Sequence, residues 1–110
     1  MRRYGLDEEE WQVLREVLVH FPHVHRAVLF GSRAKGTNKP FSDVDIALMG
    51  DALTLADLQG VMREVDDLGL PYEFDFCLYE RLHNAELRSH IDRCGVEVFP
   101  AWENTLLSPG

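Results

Sequence analysis

The chain of 110 residues is long enough for one domain, and its 45% hydrophobic content supports an ordinary buried core. Its 19 acidic against 11 basic residues give a net charge of −8, which argues against binding a long nucleic acid, because that affinity comes from Lys and Arg. A metal-bound nucleotide stays compatible with this charge, since the cation supplies positive charge. No apolar run approaches the roughly 18 residues of a membrane span and no secretion signal is recognisable, so we expect a cytoplasmic protein.

The first part of the chain predicts a helix, a strand and a short helix. Apolar residues recur at helical spacing over 8–20, with Asp7 as the predicted N-cap and Glu10 as the reciprocal residue of a capping box. A short buried strand over 27–30 follows. It stops at a Gly-Ser turn that opens a short helix over 32–35.

The second part of the chain alternates strands with helices. The predicted segments cover 42–49 (strand), 55–68 (helix), 73–78 (strand), 84–94 (helix) and 96–99 (strand). This order predicts an α/β fold in which helices pack against one small mixed β-sheet. We expect a single domain over residues 1–100 and a C-terminal tail over 101–110.

The turn Gly31-Ser32 is a candidate phosphate site. Glycine lets the backbone approach a ligand closely, and the free N–H groups at the start of the next helix favour an anion. The Ser32 hydroxyl adds a donor for a phosphate oxygen. A Gly-Ser turn by itself is most often structural, with Ser32 as a helix cap, so its assignment depends on the residues nearby.

Two carboxylates, Asp43 and Asp45, lie on the strand that follows this turn. Residues two apart on a strand share a face, and at roughly 6 to 7 Å their charges repel by about 2 to 3 kcal/mol at an effective dielectric of 20. Val44 and Ile46 then face the core. Strand alternation puts Asp75 on the polar face of a later strand, where it can join the pair. Three acids folded together predict a magnesium site, with an exposed polar strand face as the alternative.

Two cations and a thiol lie near these acids. Lys35 is the better candidate for neutralising the charge of a triphosphate, whereas Arg33 is interpreted as structural. Either could instead be a solvated cation or an ion-pair partner of the acids. Cys77 shares the predicted face of Asp75 and lines the same pocket, but nothing marks it as a nucleophile.

The histidines give no specific signal. His20, His23 and His25 cluster around a proline turn, but their spacing matches no metal-binding pattern and no carboxylate joins them. We interpret this cluster as a solvated turn, with a metal site as the alternative. His83 and His90 indicate no function.

The candidate residues form two runs, FGSRAKG at 30–36 and SDVDIAL at 42–48, with Asp75 on a later strand. Over residues 11–99 this pattern resembles the DNA polymerase beta-like nucleotidyltransferase superfamily. The signature of that superfamily is a Gly-Ser pair, a spacer, an Asp-x-Asp and a third carboxylate. The small size resembles the minimal nucleotidyltransferases of bacteria and archaea.

The resemblance implies a role for each matching residue. Gly31 and Ser32 hold the β- and γ-phosphates of a nucleoside triphosphate. Asp43 and Asp45 coordinate Mg²⁺, and Asp75 helps to deprotonate the attacking hydroxyl or binds the second metal ion. The implied reaction transfers a nucleotidyl group, AMP from ATP, to an acceptor hydroxyl and releases pyrophosphate.

The resemblance also implies a partner. Minimal members are often encoded beside a small helical HEPN-type protein, in pairs that look like toxin–antitoxin modules in which the nucleotidyltransferase adenylylates a tyrosine of the toxin. This sequence resembles the antitoxin half, so a hetero-oligomer with such a partner is expected. Two alternatives stay open. In the first, the chain is a nucleotide-binding subunit that docks on a helical partner with little catalysis. In the second, it transfers the nucleotidyl group to a small molecule. The preferred base and the acceptor are not specified by the sequence.

Overall fold

The computed structural model describes residues 2–35 and 43–100, and it opens with a small hairpin. Strands β1 (Arg2–Arg3) and β2 (Leu6–Asp7) pair antiparallel. The turn between them has positive φ angles of 54° at Tyr4 and 91° at Gly5. This hairpin was not predicted from the sequence.

The predicted helices and strands are all present, with boundaries that differ by no more than two residues within the described segments. The helices are α1 (Glu8–Val19), α2 (Ser32–Lys35), α3 (Leu55–Asp67) and α4 (Ala85–Cys94). The strands after the hairpin are β3 (Arg26–Phe30), β4 (Val44–Met49), β5 (Phe74–Leu78) and β6 (Val96–Phe99). An unpredicted 3-10 turn, Tyr79–Arg81, follows β5. The predicted loop over 36–40, the start of the predicted strand at 42 and the tail over 101–110 lie outside the described residues.

Side-chain caps fix where the long helices begin. The predicted capping box at α1 is confirmed, because Asp7 accepts from the Glu10 N–H while Glu10 accepts from the Asp7 N–H, both at 2.9 Å. Thr54 and Asp57 form a second capping box at α3. At α4, Asn84 accepts from the backbone of the third helical residue.

The four longer strands form one mixed sheet in the order β5-β4-β3-β6. Strand β3 pairs antiparallel with both β4 and β6, whereas β4 and β5 are parallel. A parallel pair needs a long crossover, and α3 provides it. The α/β fold with a small mixed sheet is therefore confirmed.

The two faces of this sheet are covered differently. Helices α1 and α3 cover one face, where the buried cluster includes Leu29, Ile46 and Leu48. Helix α4 covers the other face, where Ile91 packs with Val28 and Ala47. Alternation along β4 therefore sends Ile46 and Leu48 to one face and Ala47 to the other.

Three side chains hold the N-terminal hairpin against the domain. The indole N–H of Trp11 donates to the Arg3 carbonyl at 2.8 Å. The Arg33 guanidinium donates to the carbonyl of Tyr4, also at 2.8 Å. The Tyr72 hydroxyl lies 3.4 Å from the carbonyl oxygen of Gly5 in the hairpin and 2.9 Å from a carboxylate oxygen of Glu10 in α1. These bonds satisfy polar groups that the hairpin would otherwise bury unpaired.

Candidate active site

The acidic residues lie at one edge of the sheet face that α4 covers. Asp45 on β4 is the register partner of Asp75 on β5, and register partners in a parallel pair share a face. Asp43 precedes β4 directly and is exposed. The structure therefore brings Asp45 beside Asp75, with Asp43 directly before the strand that carries Asp45. Their roles as ligands or catalytic groups stay predictions.

Gly31, the first residue of the predicted phosphate turn, lies next to the acidic edge. It follows β3, whose last residue, Phe30, pairs with Asp45 across the antiparallel ladder. Its φ of +79° is a conformation that favours glycine. A Cβ at this position would lie 2.5 Å from the Asp45 Oδ2 atom. The Asp45 carboxylate thus lies directly against the glycine backbone, so the predicted phosphate turn and the predicted metal ligand are in contact.

Arg33 is structural, as the sequence indicated. Its side chain is only 1% exposed, and its guanidinium donates to the backbone oxygens of Tyr4 at 2.8 Å and Asp43 at 3.3 Å. It also lies 5.5 Å from the ring centroid of Tyr72. Arg33 therefore ties α2 to the hairpin and to the start of β4.

The other predicted phosphate ligands are placed only in part. Ser32 is the first residue of α2 and is half-buried next to Gly31. The backbone of Lys35 ends α2, but its side chain lies outside what the structure describes. The predicted contact of Lys35 with a triphosphate stays a prediction.

The electrostatics of this edge are dominated by acidic side chains that lie close together. Burial raises the pKa of Asp45, the neighbouring Asp75 and Asp43 carboxylates raise it further, and Arg33 acts in the opposite direction. Burial also raises the pKa of Cys77 to about 11, with further contributions from Asp75 and Asp45. Cys77 is therefore a neutral thiol at physiological pH, which agrees with its interpretation as a non-nucleophile.

The donor set suits a hard divalent cation. Magnesium prefers carboxylate oxygens, and a bound cation would relieve the repulsion that raises the pKa of Asp45. Within residues 2–35 and 43–100, however, no three His, Cys, Asp or Glu side chains are already gathered closely enough to hold a metal ion. The strands bring the acids to one edge without closing them around a common point. The predicted ligand set of Asp43, Asp45 and Asp75 fits a cation and stays a prediction.

No sequence pattern predicted that His90 lies beside the Gly31 turn. The Gly31 backbone N–H donates to the His90 Nε2 atom at 3.1 Å, although the two residues are 59 positions apart. The imidazole also makes an edge-to-face contact with Phe30, at 6.3 Å between ring centroids. No local motif predicts this contact, because it arises from the packing of α4 on β3.

Two of the three histidines at the end of α1 form hydrogen bonds with carboxylates of α3. The prediction that no carboxylate joins this histidine cluster was wrong: His20 lies 2.9 Å from Glu64, and His23 lies 2.9 Å from Asp57. The hydrogen bond from His23, followed by one from the Thr54 backbone, lowers the pKa of Asp57. Both acids come from α3, which the sequence could not place beside this turn. The solvated interpretation agrees with the exposure of these histidines.

The large groove between α3 and β5 is a separate feature. It has a volume of about 480 Å³, and its lining includes Met62, Arg63, Tyr72 and Phe74. Phe74 precedes Asp75 on β5, and neighbouring strand residues point to opposite faces. The groove therefore does not share the sheet face of the acidic residues.

Comparisons with known proteins agree with the geometry. The family model for "Polymerase beta, Nucleotidyltransferase" matches residues 12–104. The fold is similar to a crystal structure of a toxin–antitoxin with AMP-PNP (TM-score 0.66, 22% identity, 86% of this chain and 73% of that one). It is also similar to the toxin–antitoxin MntA-HepT (TM-score 0.62, 17% identity, 84% of this chain and 72% of that one).

No curated protein sequence matches the chain. No helix in the described part of the chain is long and apolar enough to cross a membrane.

Proposed function

Since the chain belongs to the polymerase beta nucleotidyltransferase family, we propose that it transfers AMP from ATP, with Mg²⁺, to a tyrosine hydroxyl of a small helical HEPN-type partner and acts as an antitoxin. The observation that carries the chemistry is the contact of three elements. Asp45 is paired with Asp75 across β4 and β5, and its carboxylate lies against Gly31. These contacts support a nucleotide site in which acidic side chains lie next to the Gly31 turn.

Each candidate residue has a proposed role in binding the nucleotide or the cation. Asp43 and Asp45 hold the cation, and Gly31 with Ser32 holds the β- and γ-phosphates. A bound divalent ion supplies a Lewis acid that polarises phosphate oxygens and stabilises the charge on the leaving group. Lys35 adds positive charge near the triphosphate.

Asp75 is exposed on the edge strand beside Asp45, so an incoming acceptor hydroxyl can reach its carboxylate and pass a proton to it. The acceptor oxygen forms a bond to the α-phosphorus while the bond from that phosphorus to the pyrophosphate oxygen breaks. The hydroxyl proton passes to the Asp75 carboxylate, and pyrophosphate leaves with the bonding electrons. The acceptor ends as a nucleotidyl ester.

The protein acceptor is supported by the similar structures. Both are toxin–antitoxin structures, and one contains AMP-PNP, an analogue of ATP. We therefore expect the acceptor hydroxyl to come from a partner that docks at the exposed acidic edge. A small-molecule acceptor is the competing hypothesis, and a docking subunit without catalysis is another.

A transfer assay distinguishes these hypotheses. The purified chain is incubated with Mg²⁺, ATP labelled at the α-phosphate and the product of the adjacent gene, with the Asp43→Ala/Asp45→Ala variant in parallel. Label on a tyrosine of the neighbour that disappears with the variant supports the proposal. Stable binding of the neighbour without label supports docking alone, and label only on added small hydroxyl compounds supports the third hypothesis.

A further inference from the structure

Helix α4 contributes one polar side chain to the backbone of the phosphate turn. The Nε2 atom of His90 accepts the Gly31 N–H at 3.1 Å, and the imidazole is half-buried against Phe30. The helix itself is anchored, because Ile91, the next residue, is 2% exposed and packs in the cluster with Val28. The imidazole is thus held by a rigid element and not by a loop.

This contact fixes the chemistry of both partners. An Nε2 atom that accepts an N–H must carry a lone pair, so the neutral imidazole has its proton on Nδ1. The Gly31 N–H is then directed at α4 and is not available to a phosphate. On the side where any other residue would carry its Cβ, Gly31 faces the Asp45 carboxylate. Gly31 therefore lies between an imidazole from α4 and a carboxylate from β4.

We propose that His90 is a positioning residue for the nucleotide site. By accepting the Gly31 N–H, it fixes the orientation of the Phe30–Gly31 peptide, from which the turn that carries Gly31 and Ser32 to the β- and γ-phosphates begins. This inference rests on the proposed function and adds a residue to it. The contribution of Gly31 then comes from its missing side chain and its positive φ, and the phosphate donors are other groups of the turn.

The test uses two ligands that differ in the phosphates concerned. Dissociation constants for Mg-ATP and Mg-AMP are measured by calorimetry on the full chain and on His90→Leu, which keeps apolar bulk but cannot accept a hydrogen bond. We expect affinity for Mg-ATP to fall about tenfold, the usual size of one lost hydrogen bond, and affinity for Mg-AMP to change less than about twofold. His83→Leu, at an exposed position before α4, is the matched control and should change neither value.

A pair of amide variants separates positioning from simple packing. The Gln oxygen reaches about as far as Nε2, whereas the Asn oxygen reaches only as far as Nδ1. His90→Gln should therefore restore most of the Mg-ATP affinity, and His90→Asn should not. This pair also carries the test if His90→Leu fails to fold, because both replacements are polar and differ by one methylene.

The outcomes are separable. Equal losses for Mg-ATP and Mg-AMP, or equal behaviour of the Gln and Asn variants, would overturn the inference about His90 and leave the proposed function standing. No binding of Mg-ATP by the unmodified chain would instead overturn the proposed function. ¹⁵N NMR gives an independent check, since it should find His90 as the Nδ1–H tautomer, and an Nε2–H tautomer would contradict the contact.

Discussion

The two faces of the sheet are built from the same strands but differ in how completely the helices cover them. We call the face under α1 and α3 the closed face and the face under α4 the open face. On the face under α1 and α3, Leu29, Ile46 and Leu48 are each no more than 1% exposed. On the face under α4, the apolar cluster is small, and Asp45 and Asp75 remain accessible at one edge.

This difference shows how a small domain can combine stability with a charged site. The closed face buries apolar surface, which is the main favourable term in folding. On the open face, the repulsion among Asp43, Asp45 and Asp75 lowers stability. Burial of apolar side chains on the closed face offsets this loss, because it stabilises the same strands. Substitutions on the two faces should therefore affect different properties.

The largest expected effect is on activity at the open face. The Asp43→Ala/Asp45→Ala variant should lose about a thousandfold in kcat/KM, because removing the cation's ligands removes several kcal/mol of transition-state stabilisation. Its thermal stability without metal should be unchanged or higher. Asp67→Ala, an exposed acid at the end of α3, is the control and should keep full activity. A variant with normal activity would contradict the ligand assignment.

The next effect is on stability at the closed face. Leu48 is fully buried, so Leu48→Ala should lower the free energy of unfolding by about 3 kcal/mol, from lost transfer energy and a residual cavity. Cys77→Ala, on the open face of the neighbouring strand, removes a half-buried small side chain and should cost about 1 kcal/mol or less. Urea unfolding measures both. Equal losses of unfolding free energy in the two variants would contradict the proposed difference between the faces.

A pair of glycines tests the contact between the turn and the acidic edge. Gly31 (φ +79°) and Gly69 (φ +70°) share a left-handed conformation, so Ala at either position should cost about 1 to 2 kcal/mol in strain. At Gly69 a Cβ meets nothing within 4 Å, whereas at Gly31 it would displace the Asp45 carboxylate.

Gly31→Ala should therefore lose at least as much stability as Gly69→Ala, and the two variants should differ in function. Gly31→Ala should lose Mg-ATP binding and transfer activity, and Gly69→Ala should keep both. Thermal unfolding and the transfer assay measure the two properties. Normal activity in folded Gly31→Ala would show that the Asp45 position does not matter.

The smallest effect is a pH dependence without metal. The pKa of Asp45 is raised in the folded state, so the native protein holds this proton to a higher pH than the unfolded chain does. Its ionisation therefore costs stability as pH rises through the folded pKa, and Asp45→Asn avoids that cost.

We expect Asp45→Asn to be more stable than the unmodified chain at neutral pH by less than about 1 kcal/mol, since the site is partly solvent-screened. The difference should vanish below the ordinary Asp pKa, and Mg²⁺ should reverse it. Thermal unfolding across pH, with and without Mg²⁺, measures it. A difference that persists at low pH would point to packing and not to charge.

Local patterns in the sequence predicted most of the fold. The capping box at Asp7 and Glu10 and the strand alternation at Val44 and Ile46 depend on neighbours close in the chain, and the structure confirms both. The N-terminal hairpin was missed because its strands have two residues each and its turn needs a positive φ at Tyr4, which is unusual for a non-glycine residue.

Features that depend on distant packing could not be predicted. The neighbouring positions of β4 and β5, which bring Asp45 to Asp75, required knowledge of the strand order. His90 reaches Gly31 only because α4 packs on β3, and a single histidine on a helix carries no sign of that. The acidic pair and the Gly-Ser turn could be named as candidates from the sequence, because their spacing along the chain is itself the signal.

Calorimetric titration of ATP into the unmodified chain and into Asp45→Asn, each with Mg²⁺ and with a chelator, tests the central claim most directly. If the acidic edge beside Gly31 holds a metal-bound triphosphate, the unmodified chain will bind ATP only with Mg²⁺, and Asp45→Asn will lose this dependence together with most of the affinity. Equal affinity with the chelator, or undiminished Mg²⁺-dependent binding by Asp45→Asn, would contradict it.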